Sequence, residues 1–237
     1  MHVVQGLNLM EAIILAGGLG TRLRTVVADV PKPMAPIAGR PFLKILLNVL
    51  ARKGFKRVIL SVGFMAEKIS DYFGSQYAGM DLIYMVEDQP LGTGGGVRLS
   101  LEQVISDHVF VFNGDTFLDL EIDRVEQQWQ ARQRSIIVGR AVVDTSRYGR
   151  LLVSDGVVQG FAGKDIAGPG LINAGCYVFK RQQLDDFPAD QPFSLESDFL
   201  APAVARGEFD VFVTAGKFID IGVPEDFLRA QTELAGF

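Results

Sequence analysis

The chain is predicted to adopt a Rossmann-like α/β fold, with a mainly parallel sheet covered by helices on both faces. Two observations predict this class. In the first half, short apolar runs typical of buried strands alternate with helical patterns. In the second half, shorter strand-like runs are separated by turn residues, which predicts a small antiparallel β region within the fold.

The first half contains four predicted strands and three predicted helices. The apolar residues of segment 42–53 fall on one helical face, and Gly54 can end that helix. The predicted strands are 12–15, 57–62, 81–86 and 108–113, and the other predicted helices are 66–73 and 97–104. Ligands of such sheets bind beyond the carboxyl ends of the strands, so the loops that follow these strands are the first candidates for a site.

The second half is predicted to contain four strands and two helices. The strands are 136–142, 150–153, 157–160 and 174–179, and the helices are near 196–206 and over 224–234. No linker-like or repeated segment interrupts the pattern. We therefore predict one domain over residues 10–237, preceded by an N-terminal extension of residues 1–9.

Composition limits the classes of partner. The 237 residues are 48% hydrophobic and carry a net charge of −5, which argues against a nucleic-acid or membrane-surface protein, since either would need a basic face. No apolar run approaches the ~20 residues that cross a bilayer. Residues 1–9 lack the pattern of a signal peptide, and the single Cys176 permits no internal disulfide. The sequence predicts a cytoplasmic protein, either a monomer or a small homo-oligomer.

A glycine-rich loop, LAGGLGTRLR at residues 15–24, follows the first predicted strand. Its glycines leave backbone amides open to an anion, and Arg22 can add a two-pronged phosphate contact. It lacks the Lys-Ser or Lys-Thr pair of a P-loop, and Leu23 stands where a dinucleotide fingerprint has its third glycine. The segment indicates a nucleotide phosphate site, with an ordinary glycine-rich turn as the alternative.

Two aspartates adjoin apolar segments. Asp115 ends the run VFVFNGD, and Asp220 lies within FIDIG. Carboxylates beside a phosphate loop suit Mg²⁺, which prefers oxygen ligands. A turn aspartate is the alternative for Asp115, and the sequence alone does not bring the two acids together.

A second glycine segment, EDQPLGTGGG at residues 87–96, also follows a predicted strand. If it is flexible, its glycines can let the backbone approach a flat base. The Glu87 carboxylate can accept two hydrogen bonds, which matches the N1–H and N2–H₂ edge of guanine. The alternative is a loop in which Thr93 caps a helix.

Together these segments resemble the sugar-1-phosphate nucleotidylyltransferases. The resemblance is carried by the loop at 15–23, PKPM at 31–34, PLGTGG at 90–95, FNGD at 112–115, LINAGCY at 171–177 and FIDIGVPED at 218–226. These motifs occur in the family's order and span nearly the whole chain. Within the family, PLGTGG and FIDIGVPED are most similar to the branch that transfers guanylyl groups to a heptose 1-phosphate.

The resemblance implies a role for each matching residue. Leu15, Gly17, Gly18, Gly20, Thr21 and Arg22 would bind the nucleotide, with Glu87, Gly92 and Thr93 at the base. Arg22, Lys32, Asp115 and Lys164 would be catalytic, and Asp115 and Asp220 would bind Mg²⁺. Lys164, Asn173, Gly175 and Glu196 would bind the sugar phosphate. Lys164 departs from the family's Glu-Lys pair because Gly163 precedes it, and Glu196 has the alternative of a helix-start acid.

The substrates implied are a nucleoside triphosphate, with GTP favoured by Glu87, and a sugar 1-phosphate. Mannose 1-phosphate guanylyl transfer and uridylyl transfer are alternatives within the family. A catalytically silent nucleotide-sugar sensor is the alternative outside enzymes, although such a sensor need not keep Arg22, Lys32, Asp115 and Asp220. An NAD-dependent enzyme is disfavoured by the missing third glycine.

Overall fold

The structure is a computed structural model that describes residues 9–17, 30–63, 65–163 and 167–237. The strands up to the middle of the chain are β1 (Glu11–Leu15), β2 (Pro36–Ile37), β3 (Arg40–Pro41), β4 (Arg57–Val62), β5 (Gln76–Tyr77), β6 (Met80–Val86) and β7 (His108–Asn113). They are followed by β8 (Thr116–Leu118), β9 (Ser135–Val142), β10 (Arg150–Ser154), β11 (Val157–Ala162), β12 (Gly170–Lys180), β13 (Phe209–Thr214) and β14 (Phe218–Asp220).

The helices lie between these strands. They are α1 (Phe42–Arg52), α2 (Ala66–Phe73), α3 (Gly92–Leu101), α4 (Ile122–Arg132), α5 (Ala201–Ala205) and α6 (Pro224–Glu233). A 3₁₀ turn covers Lys32–Met34, and a π-helical turn over Leu195–Leu200 leads into α5. In the part of the chain that the structure describes, no helix combines the length and apolarity needed to cross a bilayer.

Ten strands form one mixed sheet in the order β10-β11-β13-β9-β12-β7-β1-β4-β6-β5. Within this sheet, the pairs β7–β1, β1–β4 and β4–β6 are parallel. Strand β12 is antiparallel to both β7 and β9, and β10 and β11 form an antiparallel hairpin. The predicted parallel half and antiparallel region are both confirmed.

Alternate residues of β1 enter different cores. Ala12 and Ile14 pack on the face covered by α1, α2 and α4, whereas Ile13 packs on the face covered by α3 and α5. This alternation follows from the two-residue period of a strand and explains why residues 12–15 of β1 are all apolar. A third cluster joins the far side of α1 to α6 and includes Phe42, Ile219 and Phe227.

The prediction for the helix over 97–104 was wrong at both ends. Helix α3 begins at Gly92 and ends at Leu101, so the second glycine segment is helical rather than flexible. Gly94 shows why, since a Cβ there would lie 2.2 Å from the Phe193 ring. Glycine has a low helix propensity, but its lack of a side chain permits this close packing, which stabilises the helix. The sequence analysis missed helix α4, the two-residue strands β2, β3 and β5, and strands β8, β13 and β14.

His108 is a buried histidine at the amino end of β7. Its ring stacks on Trp129 with centroids 4.7 Å apart, and its Nε2 lies 2.8 Å from a Glu126 carboxylate oxygen while Nδ1 faces Asp107. Burial lowers the pKa of His108, but its bonds to Glu126 and Asp107 outweigh that effect and raise the pKa above its ordinary value. The folded state therefore favours the protonated ring.

Stability should depend on pH through this residue. A raised folded-state pKa contributes stability that is fully present below the unfolded-state value of ~6.5 and is lost as pH rises through the folded-state pKa. We expect the melting temperature of the wild type, relative to His108→Gln, to fall between pH ~6 and pH ~9. Thermal unfolding of both proteins across this range tests this, and a difference that is independent of pH would contradict it.

Candidate active site

The predicted site residues collect at the carboxyl edge of the parallel strands. Leu15 of β1 is in register with Ser61 of β4 and Asn113 of β7. The backbone continues to pair beyond the strands, since Ala16 N donates to Ser61 O at 2.8 Å and Gly114 N donates to Leu15 O at 3.0 Å. Gly17 and Asp115 lie two residues past the ends of β1 and β7, and Glu87 directly follows β6, the next strand of the same parallel series.

Gly114 permits the close approach of two of these loops. A Cβ on Gly114 would lie only 2.3 Å from Leu15 O. The missing side chain therefore lets the turn after β7 lie against the start of the glycine loop. This contact carries Asp115 to the edge where the phosphate loop begins.

Lys32, Asp115 and Asp220 converge on Gly222. The Lys32 ammonium group contacts Asp115 Oδ2. A Cβ on Gly222 would lie 2.7 Å from Asp220 Oδ1, 3.0 Å from Lys32 Nζ and 3.4 Å from Asp115 Oδ2. The three charged groups therefore surround one point that a residue larger than glycine would fill.

Backbone pairing holds the two aspartates in place. Strand β14 is antiparallel to β8, with Asp220 opposite Thr116, and Ile221 N donates to Asp115 O at 2.9 Å. Asp220 Oδ1 also accepts a hydrogen bond of 2.7 Å from Gly222 N. The two acids, 105 positions apart in the numbering, meet because two short strands missed by the sequence analysis pair with each other.

This arrangement can accept a divalent cation. Mg²⁺ is usually held by one or two carboxylates together with water and substrate phosphate oxygens, so two converging aspartates beside a phosphate loop fit that ion. Among the described residues, no group of three or more histidine, cysteine, aspartate or glutamate side chains suited to a metal is present.

Glu87 lies between the phosphate loop and the start of α3. Its Oε2 accepts a hydrogen bond of 2.9 Å from Leu91 N, and its Oε1 lies 3.3 Å from Ser61 Oγ. A Cβ on Gly17 would lie 3.3 Å from the same Oε1. Glu87 therefore anchors the turn that begins α3, and each of its oxygens keeps further acceptor capacity for a ligand.

Gly92 and Thr93 pair with the segment before the π-helical turn. Gly92 has φ of +71°, and a Cβ there would lie 2.6 Å from Phe193 O. The Thr93 hydroxyl accepts a hydrogen bond of 3.0 Å from Leu195 N rather than capping its own helix. The segment that carries Glu196 is thus fastened to the proposed base-binding segment.

Asn173 and Gly175 form a bulge in β12. Asn173 accepts a hydrogen bond of 3.0 Å from Gly175 N and donates one of 2.8 Å to the Tyr177 hydroxyl. Gly175 has φ of +68°, and a Cβ there would lie 2.6 Å from Asn113 Nδ2, so glycine is needed for both backbone and space. The bulge places Gly175 against Asn113 at the end of β7.

Tyr177, which ends the LINAGCY motif, is a buried partner of Asn173 that the sequence analysis did not single out. Burial raises the pKa of Tyr177 well above its ordinary value; the Asn173 hydrogen bond lowers it, and the nearby Glu196 charge raises it further. The hydroxyl is therefore protonated at neutral pH. The Tyr177 hydroxyl accepts a hydrogen bond from Asn173 and so fixes the side chain of that predicted sugar contact.

Five predicted residues lie outside the described part of the chain. They are Gly18, Gly20, Thr21, Arg22 and Lys164. Their roles in phosphate and sugar-phosphate binding stay predictions.

Comparison with known proteins identifies the family. The nucleotidyl transferase family model matches residues 11–236. The chain belongs to this family. D-glycero-α-D-manno-heptose 1-phosphate guanylyltransferases of Aneurinibacillus thermoaerophilus and Campylobacter jejuni are each 37% identical to it, over 95% and 92% of this chain and 98% and 97% of their own lengths. A mannose-1-phosphate guanylyltransferase of Mycobacterium tuberculosis is 33% identical, and 64% of its length is covered.

Solved structures agree with this nucleotidyl transferase assignment. HddC from Yersinia pseudotuberculosis superposes with a TM-score of 0.85 at 38% identity, covering 94% of this chain and 98% of that one. HddC in complex with GMP-PN gives a TM-score of 0.84. A glucose-1-phosphate thymidylyltransferase-like protein from Bacillus anthracis, at 18% identity and a TM-score of 0.79, shares the fold.

Proposed function

We propose that this protein transfers a guanylyl group from GTP to D-glycero-α-D-manno-heptose 1-phosphate, releasing pyrophosphate. The observation that carries the proposal is the convergence of Lys32, Asp115 and Asp220 at the sheet edge of a chain that matches two such enzymes over nearly their full lengths. A retained charge cluster of this kind is more than a nucleotide-sugar sensor needs.

The chemistry follows from the charges of the reactants. A sugar-phosphate oxygen, already an anion, attacks the α-phosphorus of GTP, and pyrophosphate leaves from the opposite side. No strong general base and no covalent intermediate are required, so the obstacle is to bring two polyanions together in line. Positioning and charge neutralisation are the contributions required of the protein.

The three charged residues that meet at Gly222 each have a role in this scheme. Lys32 neutralises charge on the attacked phosphate or the departing pyrophosphate, and Asp115 and Asp220 hold Mg²⁺. When bound, Mg²⁺ offsets the developing charge on phosphate oxygens and fixes their orientation. Arg22 and the amides of the glycine loop are proposed to hold the triphosphate.

The sugar phosphate is proposed to bind on the β12 side of the aspartates. Asn173 is proposed to contact the sugar there, Glu196 to reach it from the segment fastened to Thr93, and Lys164 to pair with the phosphate. Glu87, Gly92 and Thr93 follow β6, which β7, β1 and β4 separate from β12 in the sheet, and the base is proposed to bind beside them. This division supports a reaction between two ligands that meet at Lys32, Asp115 and Asp220.

A substrate matrix tests the proposal. Pyrophosphate release should be measured with GTP, ITP, UTP and ATP, each paired with D-glycero-α-D-manno-heptose 1-phosphate, mannose 1-phosphate and glucose 1-phosphate. We expect the greatest kcat/KM for GTP with the heptose 1-phosphate. ITP lacks the N2 amine of guanine, so it should react more slowly than GTP if Glu87 accepts from that amine.

Other outcomes would redirect the proposal. A preference for mannose 1-phosphate or for UTP would favour the corresponding family alternative. No pyrophosphate release with any pair, together with calorimetric binding of a nucleotide sugar, would favour the silent sensor.

A further inference from the structure

The loop between β9 and β10, residues 143–149, lies against the end of the site that carries Asp220. Its Arg147 bridges the loop to α6, lying 3.2 Å from Glu225 and also pairing with Asp226 Oδ2. Asp226 is 4% exposed, so this ion pair is shielded from solvent on the acidic side. The FIDIGVPED motif therefore contains an acid, Asp226, whose role the proposed reaction does not explain.

Arg147 also holds its neighbour Tyr148. The guanidinium Nη2 lies 3.3 Å from the Tyr148 hydroxyl, and its carbon lies 5.6 Å from the ring centroid. The Tyr148 ring packs edge-on against Phe218 with centroids 6.0 Å apart. Phe218 and Asp220 are two positions apart on β14 and so project to the same side of that strand.

Charge effects agree with this placement. Burial raises the pKa of Tyr148, nearby Arg147 lowers it, and the negative charges of Asp226 and Asp220 raise it further. The geometric observation is the packing of the Tyr148 ring on Phe218, two positions before Asp220 on the same side of β14.

The other side of the loop is fastened to the start of β12. Tyr148 N donates to Thr145 O at 2.9 Å, and Thr145 N donates to Gly168 O at 3.1 Å. Arg150 Nε donates to the Thr145 hydroxyl at 2.7 Å. Tyr148 is thus held from two directions, by Arg147 on the α6 side and by Thr145 on the β12 side.

The order of the strands tells which substrate this loop can affect. The loop leaves β9, which pairs with β12, the strand of Asn173 and Tyr177. Glu87 and Gly92 follow β6, which β7, β1 and β4 separate from β12 in the sheet. A displacement of the loop should therefore disturb the proposed sugar-phosphate side more than the proposed nucleotide side.

We propose that Arg147 is a positioning residue, whose ion pair with Asp226 holds Tyr148 beside Asp220 and thereby shapes the sugar-phosphate side of the active site. The inference rests on the proposed function for its choice of substrate. Misplacing a reacting or binding group by ~1 Å can cost ~10²-fold in rate. Loss of Arg147 should therefore act on kcat/KM for the sugar phosphate.

The test compares Arg147→Ala with Arg229→Ala. Arg229 is a matched control because it pairs with the same Asp226, at 2.8 Å, but from within α6. We expect Arg147→Ala to lower kcat/KM for the sugar phosphate by ~10²-fold, with KM for GTP changed less than ~2-fold. Arg229→Ala should stay near wild type, and Arg147→Lys, which keeps the charge but loses the fork to Tyr148, should be intermediate.

Hydrogen exchange provides a readout that does not depend on turnover. Arg147→Ala should speed amide exchange over residues 143–150 while Arg229→Ala does not. Equal effects of the two variants on kinetics and exchange, or parallel changes in the KM values for both substrates, would overturn the inference. If the wild type releases no pyrophosphate, the proposed function fails, yet the exchange comparison still tests whether Arg147 holds the loop.

Discussion

Replacing Asp115 with alanine is expected to lower turnover by ~10²–10³-fold while the fold is retained. Asp115 and Asp220 supply the only carboxylates that meet at Gly222 within the described residues. Removing one leaves a single acid to hold Mg²⁺ against a triphosphate and deprives Lys32 of its partner. Steady-state pyrophosphate release at saturating substrates measures the loss, and circular dichroism checks the fold.

Asp119→Ala is the matched control for this experiment. Asp119 lies four residues further along, but its carboxylate pairs with Lys53 at 2.6 Å, outside the Gly222 cluster. We expect it to retain near wild-type turnover. The assignment of Asp115 as a metal ligand is wrong if Asp115→Ala turns over normally. It is also wrong if Asp115→Ala and Asp119→Ala are equally impaired at a higher Mg²⁺ concentration.

The sequence predicts strand ends well because burial on both faces demands continuous apolar runs. Residues 12–15, 57–62 and 108–113 were each predicted within one residue of the observed strands β1, β4 and β7. The carboxyl ends of β1 and β7 then placed Gly17 and Asp115 on one edge of the sheet in advance. In a parallel sheet, a local pattern is enough to place such residues on a common edge.

The meeting of Asp115 with Asp220 could not be predicted in the same way. It depends on the pairing of β8 with β14, strands of three residues each that carry too few residues for a period to be read. The prediction of where α3 begins failed for a different reason. The low helix propensity of glycine argues against a helix there, but packing against Phe193 stabilises one. In both cases a long-range contact decides the local structure.

Tyr177 and Arg147 show a third limit. The sequence around Tyr177 is typical of a core residue in an apolar strand. Only the structure of the β12 bulge shows that its hydroxyl accepts a hydrogen bond from Asn173. In the sequence, Arg147 has the pattern of a solvated surface charge. Its proposed role depends on an ion pair with Asp226, which lies in a helix far away along the chain. Neither role has a signal within its own segment.

Replacing Lys32 with alanine is expected to change catalysis and metal binding in opposite directions. Turnover should fall by ~10²–10³-fold, because the charge that neutralises phosphate or pyrophosphate is lost. Binding of Mg²⁺ to the substrate-free protein should nevertheless tighten, since the Lys32 ammonium contacts Asp115 and lies next to Asp220. Two unit charges ~4 Å apart interact by ~4 kcal/mol at an effective dielectric constant of ~20, so even part of that repulsion amounts to tenfold or more in affinity.

Isothermal titration calorimetry with Mg²⁺ or Mn²⁺ measures the second effect, and Lys53→Ala is its control. Lys53 pairs with Asp119 rather than Asp115, so its loss removes the same charge from the protein without opening the Gly222 cluster. Weaker metal binding in Lys32→Ala than in Lys53→Ala would mean that the lysine does not compete with the ion. Tighter metal binding in Lys32→Ala, the expected result, would show that Lys32 occupies the cation site in the substrate-free protein. Lys32 would then pair with Asp115 until metal and phosphate bind, and contact the phosphate afterwards.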